Sequence, residues 1–179
     1  LSGSMGDHGL TIMSRQQGLS LATDLKSDSA ALHRMTLALL DEVGDIHTLR
    51  DPTRGGLATT LNEIAEQSGV AMVINEDSLP VKASVEAGCA VLGLDPLYLA
   101  NEGKVICIVP ESKAEKALAV MRRFEEGREA CFIGRVFGEA TKLSGMRNPM
   151  KKGQVLLETP IGGHRLLGML EGEQLPRIC

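Results

Sequence analysis

The sequence predicts an α+β fold, a layered α/β domain built on a mixed β-sheet. Three observations carry this. Short apolar runs alternate with longer segments whose apolar residues recur at helical spacing. Residues 70–74 and 105–109 are apolar throughout, the pattern of strands covered on both faces. Gly44, Gly69 and Gly93 stand where the periodic segments stop, as helix ends require.

Each element follows in order. Residues 1–7 are rich in Gly and Ser and read as a linker or loop. Residues 10–14 read as a short strand, and 14–25 carry no clear period. Ser27 or Asp28 suits the cap of a helix running to about Val43, with Leu32, Met35, Leu39 and Val43 on one face. Residues 45–49 form a short connection or strand. A helix follows Gly56 to about Ser68, with Leu57, Leu61, Ile64 and Ala65 inward. After the strand at 70–74 and a loop over 75–80, Val81, Val85, Cys89 and Leu92 share one side of a helix. Asp95-Pro96 opens a short turn or helix through Leu99. Asn101-Glu102-Gly103 is a tight turn into the strand at 105–109. Ser112 suits the cap of a helix presenting Ala114, Ala117, Leu118, Met121 and Phe124. Residues 131–137 form a strand, 139–153 a polar excursion, and 155–157 with 165–167 a strand pair around a Gly-rich turn. No internal repeat stands out.

Composition narrows the function classes. The 179 residues are one domain's worth, enough to bury roughly 70% of the surface of the unfolded chain. Hydrophobic residues at 43% and charged residues at 23% are ordinary for a soluble protein. With 2% aromatics, no Trp and a net charge of -4, neither base stacking nor phosphate attraction is supplied, so no nucleic-acid partner is expected. No apolar run reaches bilayer length and no signal-peptide pattern occurs, so no membrane association is expected. The four cysteines, Cys89, Cys107, Cys131 and Cys179, are far apart and make no CxxC pair. The first three lie among apolar residues and read as reduced core positions, so a cytoplasmic address is expected. His8, His33, His47 and His164 make no spaced ligand set, and no metal site is expected. The chain begins at Leu1 and reads as a piece of something longer.

Three internal stretches and the chain end are suited to chemistry. The strongest internal signal is Arg50-Asp51-Pro52-Thr53-Arg54-Gly55-Gly56. Asp51 or Thr53 suits a helix cap, and Gly55 and Gly56 allow close approach to the first turn. Arg50 and Arg54 add charge at a place already suited to an anion. The same residues also fit a structural cap whose arginines pair with local carboxylates. Asn101-Glu102-Gly103-Lys104 sets a carboxylate at the mouth of a buried strand, where Glu102 is either a general base or a turn glutamate paired with a cation. Gly6-Asp7-His8-Gly9 sets an imidazole in a turn, a position more often structural than catalytic.

At the chain end, Cys179 carries its own carboxylate, which opposes thiolate formation, and Arg177 offsets it. Pro176 stiffens the approach, and Gly162, Gly163, Gly168 and Gly172 supply hinges. The seven steps from Gly172 to Cys179 reach roughly 23 Å when extended. A domain over residues 1–172 and a flexible arm over 173–179 with a nucleophile at its tip are therefore expected. A terminal thiol alone is also what a frayed chain end carries.

Taken together, Ser2-Gly3-Ser4-Met5-Gly6-Asp7-His8-Gly9, the Arg50–Gly56 stretch, Ala100-Asn101-Glu102-Gly103-Lys104 and the closing Pro176-Arg177-Ile178-Cys179 resemble the HypE family of hydrogenase maturation factors. That family is related to aminoimidazole ribonucleotide synthetase and selenophosphate synthetase. The resemblance covers the C-terminal half of a two-domain architecture. It implies that a preceding domain, outside this chain, forms the homodimer and binds ATP and Mg. No tightly bound cofactor is then expected here, and the chain alone is expected to be inactive. The resemblance further implies that HypF carbamoylates the terminal thiol. ATP-dependent dehydration then yields a thiocyanate, and the cyanide passes to iron on a HypC–HypD complex for the [NiFe]-hydrogenase centre. On that account Cys179 is the carrier and Glu102 the base. The alternatives are a sister ATP-dependent synthetase or kinase half, which needs no terminal thiol, and a partner-docking module without catalysis.

Overall fold

Strand β2 (Ala71–Asn75) organises the larger of two sheets in the computed structural model, which describes residues 1–16, 18, 25–139 and 141–170. It pairs antiparallel with β4 (Gly134–Phe137) on one side and parallel with β5 (Val155–Glu158) on the other. β5 continues antiparallel to β6 (His164–Leu166), giving the order β4-β2-β5-β6. A second sheet joins β1 (Thr48–Arg50) antiparallel to β3 (Ile106–Ile108). The helices are α1 (Asp7–Gln16), α2 (His33–Glu42), α3 (Gly56–Ser68), α4 (Ala83–Leu92) and α5 (Glu111–Met121). Short 3₁₀ turns occupy Glu76–Ser78, Pro96–Tyr98 and Glu125–Gly127. The expected α+β layers and mixed sheet are therefore present.

β2 is buried on both faces, as its uninterrupted apolar run requires. Met72 and Ile74 pack with Leu57, Leu61 and Ile64 of α3 and with Val155, Leu157 and Leu167. Ala71 and Val73 point the other way, onto Met150 and Leu156, with Phe137, Leu143 and Met146 against them. Part of the polar excursion at 139–153 thus covers the sheet. Each large aliphatic side chain buried this way contributes about 1.5–3 kcal/mol. Two smaller clusters hold the flanks, one between α2 and α5 around Met35, Leu39 and Met121, the other between α1 and α4 around Leu10, Met13, Val85 and Cys89.

Five expectations are corrected. Residues 1–7 are not a linker. Leu1 exchanges backbone bonds with Cys131, Ser2 bonds Val105 through both backbone and hydroxyl, and Met5 bonds Pro80. Small residues are needed there because a Cβ on Gly3 would meet Lys104 Cε at 3.1 Å. Residues 10–14 are helix, not strand: Leu10 and Met13, three apart, share the face of α1 that meets α4. The second helix begins at His33, because the Asp28 carboxylate pairs with Lys104 instead of capping it. Neither Asp51 nor Thr53 caps α3; Gly55, at φ 73°, is its N-cap without a side-chain bond. Helix α5 starts at Glu111 behind Pro110, so Ser112 lies within its first turn.

Among the described residues, no helix is long and apolar enough to cross a membrane. The expected boundary at 172 and the arm over 173–179 lie outside the described residues.

Candidate functional site

The three internal stretches meet at one buried side chain, Asn101. Its Oδ1 accepts the Gly6 N–H at 2.8 Å. Its Nδ2 donates to the carbonyls of Pro52 and Leu99, each at 3.0 Å, and its N–H donates to Pro52 O at 3.2 Å. Gly9 N–H donates to Ala100 O at 3.0 Å. Asn suits this junction because one planar amide both accepts and donates, which no apolar or charged side chain of that size does. A residue legible only as the first member of a turn is thus the knot between α1, the turn and the entrance to α3.

Gly56 lets α3 approach the Leu97–Leu99 backbone, and Gly55 makes room for the helix's own first turn. A Cβ on Gly56 would lie 2.5 Å from Leu97 O and 2.6 Å from Leu99 O, and one on Gly55 would lie 2.3 Å from Thr59 Oγ1. The first turn of α3 therefore sits directly against the backbone that leads to Asn101. Its leading N–H groups receive no side-chain cap, which leaves a positively biased helix end. Of the candidate anion-site residues, Gly55 and Gly56 are at this end, Thr53 is half-buried beside it and Arg54 is exposed. Arg54 has no ion pair with a described residue. Arg50 turns away: its guanidinium pairs with Glu63 at 2.9 Å and approaches Asp51 at 3.9 Å.

Glu102 is half-buried, and its N–H donates to Asp28 Oδ1 at 3.3 Å. Two ion pairs lie next to this region, and residue spacing did not disclose either. Asp7, with a side chain 2% exposed, pairs with Lys82 Nζ at 2.9 Å and accepts Ser4 Oγ–H at 2.6 Å. Asp28 and Lys104, 5% and 10% exposed, pair at 3.3 Å. Both pairs line a cleft of roughly 550 Å³ whose rim carries Lys26, Arg128 and three glutamates, Glu125, Glu126 and Glu129. The legible signal was Lys104, a lysine on the threshold of a buried strand, which must have a counter-charge. His8 is held structurally, with Nδ1 2.8 Å from Ser27 Oγ.

Cys179 lies outside the described residues. Of the other thiols, Cys89 is buried and Cys107 and Cys131 are half-buried. Burial pushes all three thiols up, Cys89 to about 11 with a further contribution from Asp95. They are poor nucleophiles at neutral pH, because the thiolate is the reactive form.

The fold and this junction define a class. The chain belongs to the family described as AIR synthase related protein, C-terminal domain, whose model matches residues 1–144. Within it, the resemblance is to HypE. The carbamoyl dehydratase HypE of Azotobacter vinelandii is 51% identical over 179 residues, 100% of this chain and 49% of that protein. A crystal structure of HypE in complex with ATP is 60% identical, with a TM-score of 0.90 over 99% of this chain and 51% of that one. A crystal structure of a HypE–HypF complex is 40% identical, with a TM-score of 0.84 over 94% of this chain and 51% of that one. The chain spans about half the length of the curated relatives it matches.

Proposed function

We propose that this chain is the C-terminal half of an ATP-dependent carbamoyl dehydratase of hydrogenase maturation, with Cys179 as the carrier. The carrying observation is that the likeness to HypE of Azotobacter vinelandii spans all 179 residues of this chain at 51% identity. The reaction balances as carbamoyl-S-Cys179 plus ATP giving cyano-S-Cys179, ADP and phosphate. The carbamoyl oxygen attacks the terminal phosphorus, the C–O bond then breaks, and that oxygen leaves in the phosphate. Two N–H protons are also lost: Glu102 takes one as general base, and the other leaves on the departing phosphate. A thiol is the suitable carrier because sulfur attacks readily and its acyl adduct stays reactive.

The uncapped end of α3, with Arg54 beside it, is the place this half offers to a phosphate being transferred. ATP and Mg are assigned to the preceding half, and a HypE relative is described in complex with ATP. Among the described residues no group of three His, Cys, Asp or Glu is placed to hold a metal ion. HypF is the carbamoyl donor, in keeping with the HypE–HypF complex, and a HypC–HypD complex is the cyanide acceptor. The full-length protein is a cytoplasmic homodimer.

The test is the mass of the C-terminal peptide of the full-length protein after incubation with HypF, carbamoyl phosphate and ATP. Carbamoylation followed by loss of one water is expected at Cys179. An unmodified Cys179 rejects the proposal. A Cys179→Ser protein that still supports hydrogenase assembly in cells rejects it equally. ATP titration of the 179-residue chain is expected to show no tight binding, and tight binding would move the nucleotide site into this half.

A further inference from the structure

We infer that Asp28 is a positioning residue for Glu102, an inference that rests on the proposed role of Glu102 as base. Asp28 is more than 70 residues away in sequence, yet its carboxylate grips the Glu102 turn at two points. Oδ1 accepts the Glu102 N–H at 3.3 Å, and Oδ2 lies 3.3 Å from Lys104 Nζ. Oδ2 receives no well-directed hydrogen bond, so its compensation is the charge of Lys104, which also donates to Gly103 O at 3.3 Å. A carboxylate and an ammonium with so little exposure hold their positions because separating them leaves each charge without its partner.

The contact is also steric. A Cβ on Gly103 would fall 1.7 Å from Asp28 O and 2.9 Å from Ala30 N. Residues 28–30 are therefore pressed directly on the turn. That strap is fastened at its other end, where Ser27 Oγ lies 2.8 Å from His8 Nδ1 and accepts the Ser29 N–H at 3.2 Å. Asn101, the residue before Glu102, is locked by its bonds to Gly6, Pro52 and Leu99. Glu102 thus follows a fixed residue in the chain, and its own backbone N–H is held by Asp28. A general base must sit within about 3 Å of its proton, and a displacement of about 1 Å costs roughly 100-fold in rate.

The experiment uses the full-length enzyme, with two readouts on Cys179 followed by mass. Loading by HypF needs the thiol but no base at Glu102, so it reports folding and docking. Dehydration by ATP needs the base. Asp28→Ala removes both contacts and is expected to slow dehydration about 100-fold. Asp28→Asn keeps the Glu102 acceptor, loses the charge opposite Lys104, and is expected to slow it about tenfold. Loading rate and KM for ATP are expected to stay within about twofold in both, as a role confined to placing the base requires. Asp28→Asn is isosteric and decides the matter if Asp28→Ala does not fold. Wild-type dehydration in a loaded Asp28→Asn protein overturns the inference. So does an equal fall in loading and dehydration, which marks a merely structural carboxylate. Glu102→Gln separates the two proposals: if it dehydrates at the wild-type rate, the reading of Glu102 as base fails and the inference with it. If Glu102→Gln is inactive and the Asp28 variants are normal, the inference alone fails.

Discussion

Asn101 Oδ1 and the Gly6 N–H are joined at 2.8 Å across 95 residues of sequence. The bond is buried, and the same amide serves Pro52 and Leu99. Asn101→Ala takes this amide from the buried Gly6 N–H and the Leu99 carbonyl, while Pro52 O keeps the backbone N–H of residue 101, so a loss of about 2–3 kcal/mol is expected. Asn101→Asp is expected to cost more, because it turns an anion towards two carbonyl oxygens. Urea unfolding of the full-length protein checks both, and a shift below about 1 kcal/mol for Asn101→Ala removes the junction from the account.

Gly56 and Gly69 separate strain from collision. Both have positive φ, 64° and 63°, but a Cβ on Gly56 meets two backbone carbonyls at 2.5 and 2.6 Å, whereas nothing lies within 4 Å of one on Gly69. Gly69→Ala is expected to cost about 1 kcal/mol from the left-handed backbone alone. Gly56→Ala adds displacement of the Leu97–Leu99 backbone and is expected to cost about 3 kcal/mol or more. Melting temperatures of the two variants, compared side by side, give the answer.

Arg54 and Arg50 differ in what they already hold. Arg50 is engaged with Glu63 on the surface, a pair worth at most about 1 kcal/mol. Arg54→Gln is expected to leave stability within about 0.5 kcal/mol and to lower full-length dehydration roughly tenfold, the effect of losing a charge from a transfer site. Arg50→Gln is expected to change the rate far less. Equal effects of the two would remove the distinction drawn from the Arg50–Glu63 pair.

The thiols give a pH test. Burial, with Asp95 in second place, raises Cys89 from 9.0 to about 11. Folding therefore favours the neutral thiol. The stability it contributes is complete below pH 9 and is lost as pH rises toward 11. Cys89→Ala is expected to flatten the alkaline limb of the stability curve. At pH 8, iodoacetamide is expected to label Cys179 of the full-length protein first and Cys89 last, read by peptide mass.

Sequence alone disclosed the central strand, the order of most later helices and the hairpin of β5 and β6, because each is written in a local period or a local glycine. Residues 1–9 resemble loop because of their glycines and serines, but these serve close approach: Gly9 lies where a Cβ would be 3.0 Å from Ala100 N. Residues 10–14 resemble strand because so short an apolar run fits either period. Asp28 looked like a cap because Asp is common there, and its true partner, Lys104, is distant in the chain. The site shows the same division. Glu102, Gly55 and Gly56 were legible from turn and helix-end chemistry, whereas the convergence on Asn101 and the Asp7–Lys82 pair depend on contacts that no window of sequence contains.

The arrangement of the larger sheet has a consequence for biosynthesis. β2 takes both of its neighbours from much later in the chain, the parallel one from Val155–Glu158. A nascent chain stopped short of that point leaves β2 with a bare edge, which invites aggregation, and such long-range pairing is slow to form. The ribosome must therefore have passed Val155–Glu158 before β2 gains its parallel neighbour, and His164–Leu166 before the sheet is complete.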